Sequence, residues 1–326
     1  MLFPREYGGA QGSATDVAIV LEQICRHWMT LGLIYHTAAI FPLGIHYFGT
    51  EEQKRNHLPP IADGRMRFAF SLTEPNAGSD AASVSTLARR DGDEFVINGA
   101  KVFTSGADVA DRIALVTRTE TTGPRHRGLS VFLLDPRTPG VDIRRIPKVG
   151  LKGLSTCQVF LDNVRVPAST LLGKLNDGWT VVLRTLHMER LSIGARCTGG
   201  CQAVVDAAVR YASERQQFGQ AIGKFQAIQH LVADMEILTE AARMLTYRLA
   251  WMIDSGLDCA REASVVKVFA SEAYSKIAAM GMQVLGGYGY TMEYEMQRHY
   301  RDAKIYEIGG GTSQIQRNVI AKSLGL

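Results

Sequence analysis

The sequence has 326 residues, of which 46% are hydrophobic and 21% are charged, and its formal net charge is +4. This length is enough for more than one hydrophobic core, so we expect two or three packed units. Because the Lys and Arg residues are dispersed, a nucleic-acid-binding protein is disfavoured. A mildly basic surface suits an anionic small molecule or an acidic protein partner.

The five cysteines lack the paired close spacing of a disulfide framework. Cys197 and Cys201 lie one helical turn apart, but His187 is the only other metal-binding residue near them, so we interpret them as core residues and expect no metal ion. The N-terminus lacks the basic start and apolar stretch of a signal peptide, and no apolar run is expected to reach the ~20 residues of a membrane span. These features predict a cytoplasmic protein without a membrane segment.

From Asp16 to about Asp63 the pattern is helical, because apolar residues recur with i, i+3 and i+4 spacing at Val17, Val20, Leu21, Ile24 and Trp28. Thr50 precedes two glutamates and is a predicted helix N-cap.

From about Met66 to Val166 the sequence changes to short runs rich in aromatic and β-branched residues. Asp91-Gly92 and Asn98-Gly99 are predicted turns between strands. Without an intervening helix pattern, the runs predict an antiparallel barrel or sandwich. They are Phe68–Leu72, Glu94–Asn98, Ile113–Thr117, Leu129–Leu134 and Gln158–Asp162.

From about Gly178 the helical pattern returns in three long segments, at roughly Trp179–Arg215, Phe225–Asp254 and Asp258–Leu285, and two shorter ones are expected after them. An antiparallel helical bundle is the economical arrangement. The three blocks predict domains at residues 1–65, 66–170 and 171–326.

Three segments are candidates for ligand binding. The loop Leu72–Asp80 offers hydroxyls at Thr73 and Ser79 and close backbone approach at Gly78, although an ordinary turn after a strand is the favoured interpretation of this segment taken alone. The glycine clusters at 285–290 and 308–314 suit anion binding or helix capping. Arg215 suits a pyrophosphate or the C-terminal end of a helix dipole.

These segments occur in the order found in the acyl-CoA dehydrogenases, which the chain resembles over nearly its whole length. The resemblance implies a mainly α fold with a helical N-terminal domain, a middle β-barrel domain and a C-terminal four-helix bundle. It also implies that the family's first N-terminal helices are missing before Glu6–Gly9. The matching motifs are Leu72–Asp80 (LTEPNAGSD), Arg215–Gly219 (RQQFG), Gln283–Gly287 (QVLGG), Arg301–Lys304 (RDAK) and Gly311–Arg317 (GTSQIQR).

The same resemblance implies an FAD cofactor. Phe103 and Ser105 take the places of a Trp against the flavin face and a Thr that bonds flavin N5, and Thr73 would bond the pyrimidine side. The implied flavin contacts are Phe70, Leu72, Thr73, Gly78, Ser79, Phe103, Thr104, Ser105, Thr312 and Gln314. Contacts to the FAD of a neighbouring subunit would be Arg215, Gln217, Phe218, Gln226, Gln283, Gly286 and Gly287. Substrate contacts would be Ser79, Arg190 and Gly309.

The family's commonest catalytic base is a Glu at the position of Gly310. Gly310 still provides the backbone N–H that in the family bonds the thioester carbonyl. In isovaleryl-CoA and long-chain relatives the base instead directly precedes an Arg on another helix, and Glu189 directly precedes Arg190 here. The resemblance therefore implies Glu189 as the base, with Glu307 as its competitor.

The implied reaction is α,β-dehydrogenation of an acyl-CoA by a homotetramer that passes electrons to an electron-transferring flavoprotein. Small residues at Gly309–Gly311 favour a branched short or medium acyl chain, and longer chains come second. Three alternatives remain open at this stage, namely an enoyl-CoA reductase, an oxygen-using flavin oxidase and an inactive protein that binds flavin or CoA.

Overall fold

The structure is a computed structural model that describes residues 2–326. Helices come first, a β-sheet follows and helices return, which confirms the predicted mainly α fold with a β middle. The first helices are α1 (Ala14–His27), α2 (Met29–Ala39), α3 (Leu43–Phe48) and α4 (Glu51–Ala62).

Side-chain caps fix where two of these helices begin. Thr50 accepts a hydrogen bond from the Gln53 backbone N–H, and the Gln53 side chain bonds back to the Thr50 N–H, which confirms the predicted cap of α4. Ser13 and Asp16 form the same reciprocal pair at the start of α1. Within the predicted apolar stripe of α1, Val20 and Trp28 are exposed while Val17 and Leu21 are buried.

The expectation that no apolar run approaches the length of a membrane span is wrong for one segment. Met29–Phe48 has 20 residues and a mean hydropathy of 1.2, and half of it is buried. A turn at residues 40–42 divides it into α2 and α3. Core helices of water-soluble proteins have the same composition, so the segment is weak evidence for a membrane helix.

The middle of the chain forms one eight-stranded sheet with the order β6-β7-β3-β2-β4-β5-β8, and β1 pairs with β4. Most neighbours are antiparallel, but β1 and β2 run parallel to β4, so the sheet is mixed where an antiparallel one was predicted. The strands are β1 (Phe68–Ser71), β2 (Leu87–Asp91), β3 (Glu94–Ser105), β4 (Arg112–Arg118), β5 (Leu129–Leu134), β6 (Val141–Arg145), β7 (Thr156–Pro167) and β8 (Leu171–Leu172).

One predicted turn of the sheet is confirmed and one is wrong. Asp91 and Gly92 join β2 to β3, whereas Gly99 lies inside β3. The pairing of β3 with β7 shifts register between Ile97 and Gly99. Gly99 has φ +149°, and a Cβ there would lie 2.7 Å from the Thr86 Cα. The glycine therefore serves a bulge and a close backbone contact, which resemble a turn in the sequence.

The returning helices follow the predicted segments to within one or two residues. After the last long helix three short helices follow, where two were expected. The elements are α5 (Gly178–Glu214), a small hairpin of β9 (Gln216–Gln217) and β10 (Gln220–Ala221), α6 (Gln226–Asp254), α7 (Ala260–Leu285), α8 (Met296–Ala303), α9 (Ile305–Ile308) and α10 (Ser313–Ser323).

The described chain divides into two compact units. The first unit contains the sheet and comprises the residues up to Gly12, Leu33–Lys148 and Lys152–Leu186; the second contains the bundle and comprises Ser13–Gly32, Val149–Leu151 and His187–Leu326. The predicted three-domain boundaries stay a prediction. In the second unit α5 packs closely on α7, because a Cβ at Gly200 would lie 2.7 Å from the Tyr274 ring.

Candidate functional site

Glu189 and Gly310 lie side by side in the second unit. Gly310 follows α9 with φ +66°, and a Cβ placed on it would lie 3.4 Å from Glu189 Oε1. The same Cβ would lie 2.6 Å from Cδ1 of Ile193, one turn after Glu189 on α5. The structure thus brings together the two residues that were predicted as base and oxyanion donor, although 120 residues separate them in sequence.

The glycine loop after α9 is held by its carbonyl groups. Gln316, which is fully buried, donates from Nε2 to the carbonyl oxygens of Gly310 (3.1 Å) and Gly311 (3.3 Å). The Gly310 N–H, by contrast, makes no hydrogen bond to the described residues. The loop therefore presents a fixed, unused N–H donor next to a carboxylate.

Glu189 is half-buried, and the cations near it do not contact its carboxylate directly. Burial raises the pKa of its carboxyl group, and the positive charges of Arg196, Arg190 and Lys267 partly oppose this shift. Its carboxylate forms no ion pair within 4 Å and no hydrogen bond among residues 2–326. A carboxylate with a raised pKa and free lone pairs suits a general base.

Glu307, the competing base, has a different environment. Its carboxylate forms an ion pair with Lys304 (2.7 Å). Burial raises its pKa, whereas the hydrogen bond and the positive charge of Lys304 lower it, and the pKa is lowered overall. A carboxylate that is already paired and less basic is the poorer candidate.

Arg190, the predicted substrate contact, is buried. Its Nη1 donates to Ser264 Oγ at 3.3 Å, and its Nε has no hydrogen-bond partner among the described residues. A buried guanidinium donor without a partner costs free energy unless a ligand or water bonds it. Gly309, the other predicted substrate contact in this unit, begins the glycine loop and donates its N–H to the Ile305 carbonyl at 2.7 Å.

The loop Leu72–Asp80 of the first unit is held by a buried ion pair. Lys101 Nζ lies 2.8 Å from Glu74 Oε1 and donates to the Leu72 carbonyl at 3.0 Å. The Val102 N–H donates to the Thr73 carbonyl at 2.9 Å. The loop therefore has a fixed backbone, while Gly78 and Ser79 at its tip are exposed.

The three predicted flavin contacts on β3 point in different directions. Phe103 has φ +60° and is 63% exposed, which is unusual for an aromatic residue in a strand. Thr104 is buried and its hydroxyl is 2.8 Å from Ser71 Oγ, so only its backbone is available to a ligand. Ser105 is half-buried at the end of the strand. Phe70, on β1, packs against Phe41 with a ring distance of 5.3 Å.

The residues predicted to bind a neighbouring subunit's FAD are exposed on the second unit. The Phe218 side chain is 93% exposed, and Arg215 lies over the Tyr288 ring at 5.6 Å. A Cβ at Gly286 or Gly287 would meet no heavy atom within 4 Å, so their backbone is open to a ligand. The other exposed members are Gln217, Gln226 and Gln283.

At the start of α10, Thr312 is an N-cap whose Oγ1 accepts a hydrogen bond from the Ile315 N–H at 3.2 Å. Its hydroxyl proton can still be donated to another group. Gln314 is exposed on the first turn of the same helix. Both residues could therefore bond a ligand without breaking the cap.

Sequence reasoning missed three residues that surround this site, namely Ile193, Lys267 and Gln316. Lys267 had a detectable signal, because it is a single charge within the apolar run Val265–Ala270 of a helix. Cys197 and Cys201 are fully buried, which confirms their interpretation as core residues.

Comparisons with known proteins agree along the whole chain. Models of the acyl-CoA dehydrogenase N-terminal, middle and C-terminal domains match residues 1–65, 69–164 and 176–325. The probable acyl-CoA dehydrogenase YngJ of Bacillus subtilis is 43% identical over 99% of this chain and 85% of its own length. CarC, a subunit of the caffeyl-CoA reductase–Etf complex of Acetobacterium woodii, is 37% identical over 98% of this chain and 85% of its own. The structure of butyryl-CoA dehydrogenase from Megasphaera elsdenii superimposes with a TM-score of 0.96 at 32% identity, covering 100% of this chain and 86% of that one. The chain therefore belongs to the acyl-CoA dehydrogenase family, whose members are oxidoreductases that act on acyl-CoA thioesters.

Proposed function

We propose that this protein is an FAD-dependent acyl-CoA dehydrogenase in which Glu189 removes the α proton of the thioester while a hydride leaves the β carbon. The product is the trans-2-enoyl-CoA. The observation that carries the proposal is the closeness of the Glu189 carboxylate to Gly310, because a Cβ placed on Gly310 would lie 3.4 Å from Glu189 Oε1. The backbone N–H of Gly310 has no hydrogen-bond partner among the described residues.

The residues of both units fit an FAD cofactor. An exposed aromatic ring at Phe103 and a rigid loop at Thr73 suit the flavin ring, and the open backbone at Gly286 and Gly287 suits a phosphate or nucleotide. When bound, FAD supplies the acceptor for the hydride. The buried Lys101–Glu74 pair holds the Leu72 carbonyl, and this keeps the adjoining Thr73 in place for the proposed contact with the flavin ring.

The chain's own residues handle the proton and the carbonyl oxygen. The raised pKa of Glu189 makes its carboxylate a stronger base than an exposed Glu, while the nearby cations favour its ionised form. The Gly310 N–H would donate to the thioester carbonyl oxygen and stabilise the negative charge that develops when the α proton leaves.

The proposed enzyme is a cytoplasmic homotetramer. Glu189 and Arg215 are separated by 26 positions along α5 and the residue after it, or ~39 Å at 1.5 Å per residue. One FAD molecule does not span that distance, so Arg215 would serve the FAD of another copy. An exposed apolar stripe on α6, formed by Ile237, Met244 and Trp251 at seven-residue spacing, suits contact between copies.

We propose an electron-transferring flavoprotein as the electron acceptor, supported by the CarC relative, which belongs to such a complex. For the substrate we propose a branched short or medium acyl chain. The space beside Gly310 does not support it, because Ile193 and Glu189 fill that space. Support comes from Gly309, where a Cβ would meet only the Ile305 carbonyl oxygen, at 3.4 Å.

A second candidate function is reduction of an enoyl-CoA, which the reductase name of the CarC relative favours. The same residues would act in reverse, with protonated Glu189 giving its proton to the α carbon. Anaerobic mixing with saturated acyl-CoAs distinguishes the two. A dehydrogenase loses its yellow colour, whereas an enzyme poised for reduction stays oxidised.

Replacement of Glu189 by Gln tests the proposed base. Flavin reduction, followed by stopped-flow absorbance with an acyl-CoA, should slow by about 10²–10⁴-fold while FAD and acyl-CoA still bind. The matched control is Glu307→Gln, which should reduce flavin at nearly the wild-type rate. An unchanged rate in Glu189→Gln together with a large loss in Glu307→Gln would transfer the role to Glu307.

A further inference from the structure

Lys267 is a fully buried lysine without a carboxylate partner. It lies in the middle of α7, and among residues 2–326 no Asp or Glu oxygen lies within 4 Å of its Nζ. Its ammonium group donates to the backbone carbonyl of Glu307 at 3.1 Å. A buried charge with so little compensation is costly, so its presence needs a reason other than packing.

The carbonyl that Lys267 bonds lies in the last turn of α9. The final carbonyl groups of a helix have no partner within the helix, and a cation there also interacts favourably with the helix dipole. Two residues after Glu307 the glycine loop begins at Gly309. Lys267 and Gln316 therefore hold the two ends of the loop segment that brings Gly310 close to Glu189.

Burial raises the pKa of Glu189, and the positive charge of Lys267 is one of three that partly oppose this shift. The charged groups that face Glu189 are Arg190 and Arg196 on α5 and Lys267 on α7, and all three favour its ionised form. Of these, Arg196 lies over the Tyr306 ring at 5.1 Å and Arg190 bonds Ser264, so both have other contacts. The groups that face Lys267 itself are Cys197, Glu307, Arg190 and Glu272.

We propose that Lys267 is a positioning residue of the reaction. Its hydrogen bond holds the end of α9 so that Gly310 stays close to Glu189, and its positive charge favours the ionised form of the Glu189 carboxylate. This rests on the proposed role of Glu189 as the base. Lys267 does not touch the substrate in this proposal, and its two effects depend separately on its hydrogen bond and on its charge.

Two substitutions separate these effects. Lys267→Met removes both the charge and the hydrogen bond, whereas Lys267→Gln retains a donor for the Glu307 carbonyl. In both variants the acid limb of the pH profile of flavin reduction should move to higher pH, because loss of a cation raises the pKa of Glu189. Only Lys267→Met should also slow flavin reduction on the plateau, by about tenfold or more, because the loop loses its anchor.

An infrared measurement gives an independent readout in the absence of substrate. The C=O band of a protonated carboxyl group that disappears in Glu189→Gln reports the ionisation of Glu189 directly, and this band should persist to higher pH in both Lys267 variants. The control is Lys276→Met, an exposed lysine on the same helix, which should leave the band and the rate profile unchanged.

The outcomes are distinct. If Glu189→Gln reduces flavin normally, the proposed base is wrong. If Glu189→Gln is inactive but the band and the acid limb stay at the wild-type pH in Lys267→Gln, the base stands and the electrostatic role of Lys267 is refuted. A plateau rate of Lys267→Met equal to that of the wild type refutes its role in holding the loop. Lys267→Gln decides the electrostatic part even if Lys267→Met does not fold.

Discussion

Replacing Lys101 with Met removes the buried cation that ties the Leu72–Asp80 loop to β3. The Lys101 side chain is fully buried, and that of Glu74 is 4% exposed. Removal of one partner of such a pair costs about 3–5 kcal/mol, because the remaining charge stays buried. We expect the first unit to be destabilised and FAD to be released more easily, since the Leu72 carbonyl loses its donor.

Because Glu74 has other hydrogen-bond donors, we expect the loss of stability in Lys101→Met to be near the lower end of the range of about 3–5 kcal/mol. Its carboxylate also accepts from Ser85 N, Ser85 Oγ and Thr86 N at 2.7–2.8 Å, and these bonds survive the substitution. Burial raises the pKa of Glu74, but Lys101 and these hydrogen bonds hold it at about 2. Burial also lowers the pKa of Lys101 to about 8 despite the attraction of Glu74. The desolvation of Lys101 therefore offsets part of the stabilisation that the ion pair provides.

Thermal unfolding of the FAD-loaded protein measures this cost. At about 2–4 °C per kcal/mol, a loss of about 3 kcal/mol lowers the midpoint by about 6–12 °C. The pKa of Glu74 is lower in the folded protein than in the unfolded chain, so its ion pair stabilises the folded state fully above pH 4.5 and progressively less as the pH falls toward 2. The difference in unfolding midpoint between Lys101→Met and the wild type should therefore decrease between pH 4.5 and pH 2. The exposed Lys152→Met is the control. A midpoint for Lys101→Met equal to that of the control would refute the reasoning.

Two further substitutions test the assembly and the glycine loop. Met244→Glu places a charge in the exposed apolar stripe of α6 and should lower the molar mass measured by light scattering. The control Met292→Glu, which is similarly exposed but lies outside that helix, should leave the mass unchanged. A tetramer that tolerates Met244→Glu would argue against this stripe as an interface. Gly310→Ala introduces a Cβ at positive φ against Ile193 and should slow flavin reduction about 10²-fold. Adding Ile193→Ala should recover part of the rate. Equal rates in Gly310→Ala and the wild type would show that the glycine loop accommodates the Cβ without a loss of activity.

The helices could be predicted from the sequence because each carries its own signal. The long helices end at glycine-containing turns, and Thr50 caps α4 as its position suggested. Three strands of the sheet were missed. β2 and β6 have the sequences LARRD and VDIRR, which are mostly charged and have largely exposed side chains, and β8 has only two residues. Edge and half-exposed strands lack the apolar run that identifies a buried strand.

The site was only partly predictable, because its contacts join distant parts of the chain. No local pattern relates Lys101 to Glu74, which lies 27 positions earlier, yet Lys101 bonds both Glu74 and the Leu72 carbonyl next to Thr73. The contact between Glu189 and Gly310 was expected from family resemblance, but Ile193 and its occupation of the space beside Gly310 depend on how α5 packs, which a single sequence does not specify.

The five buried cysteines can report on the unfolding of this protein. Cysteine reacts as the thiolate, and burial raises the pKa of every one of these thiols, that of Cys25 to about 12. In the native protein, alkylation of these thiols therefore requires local or global unfolding. Cys157 belongs to the sheet unit, while Cys25, Cys197, Cys201 and Cys259 belong to the bundle unit. The order in which these positions become labelled would show which unit opens first, without any engineered probe.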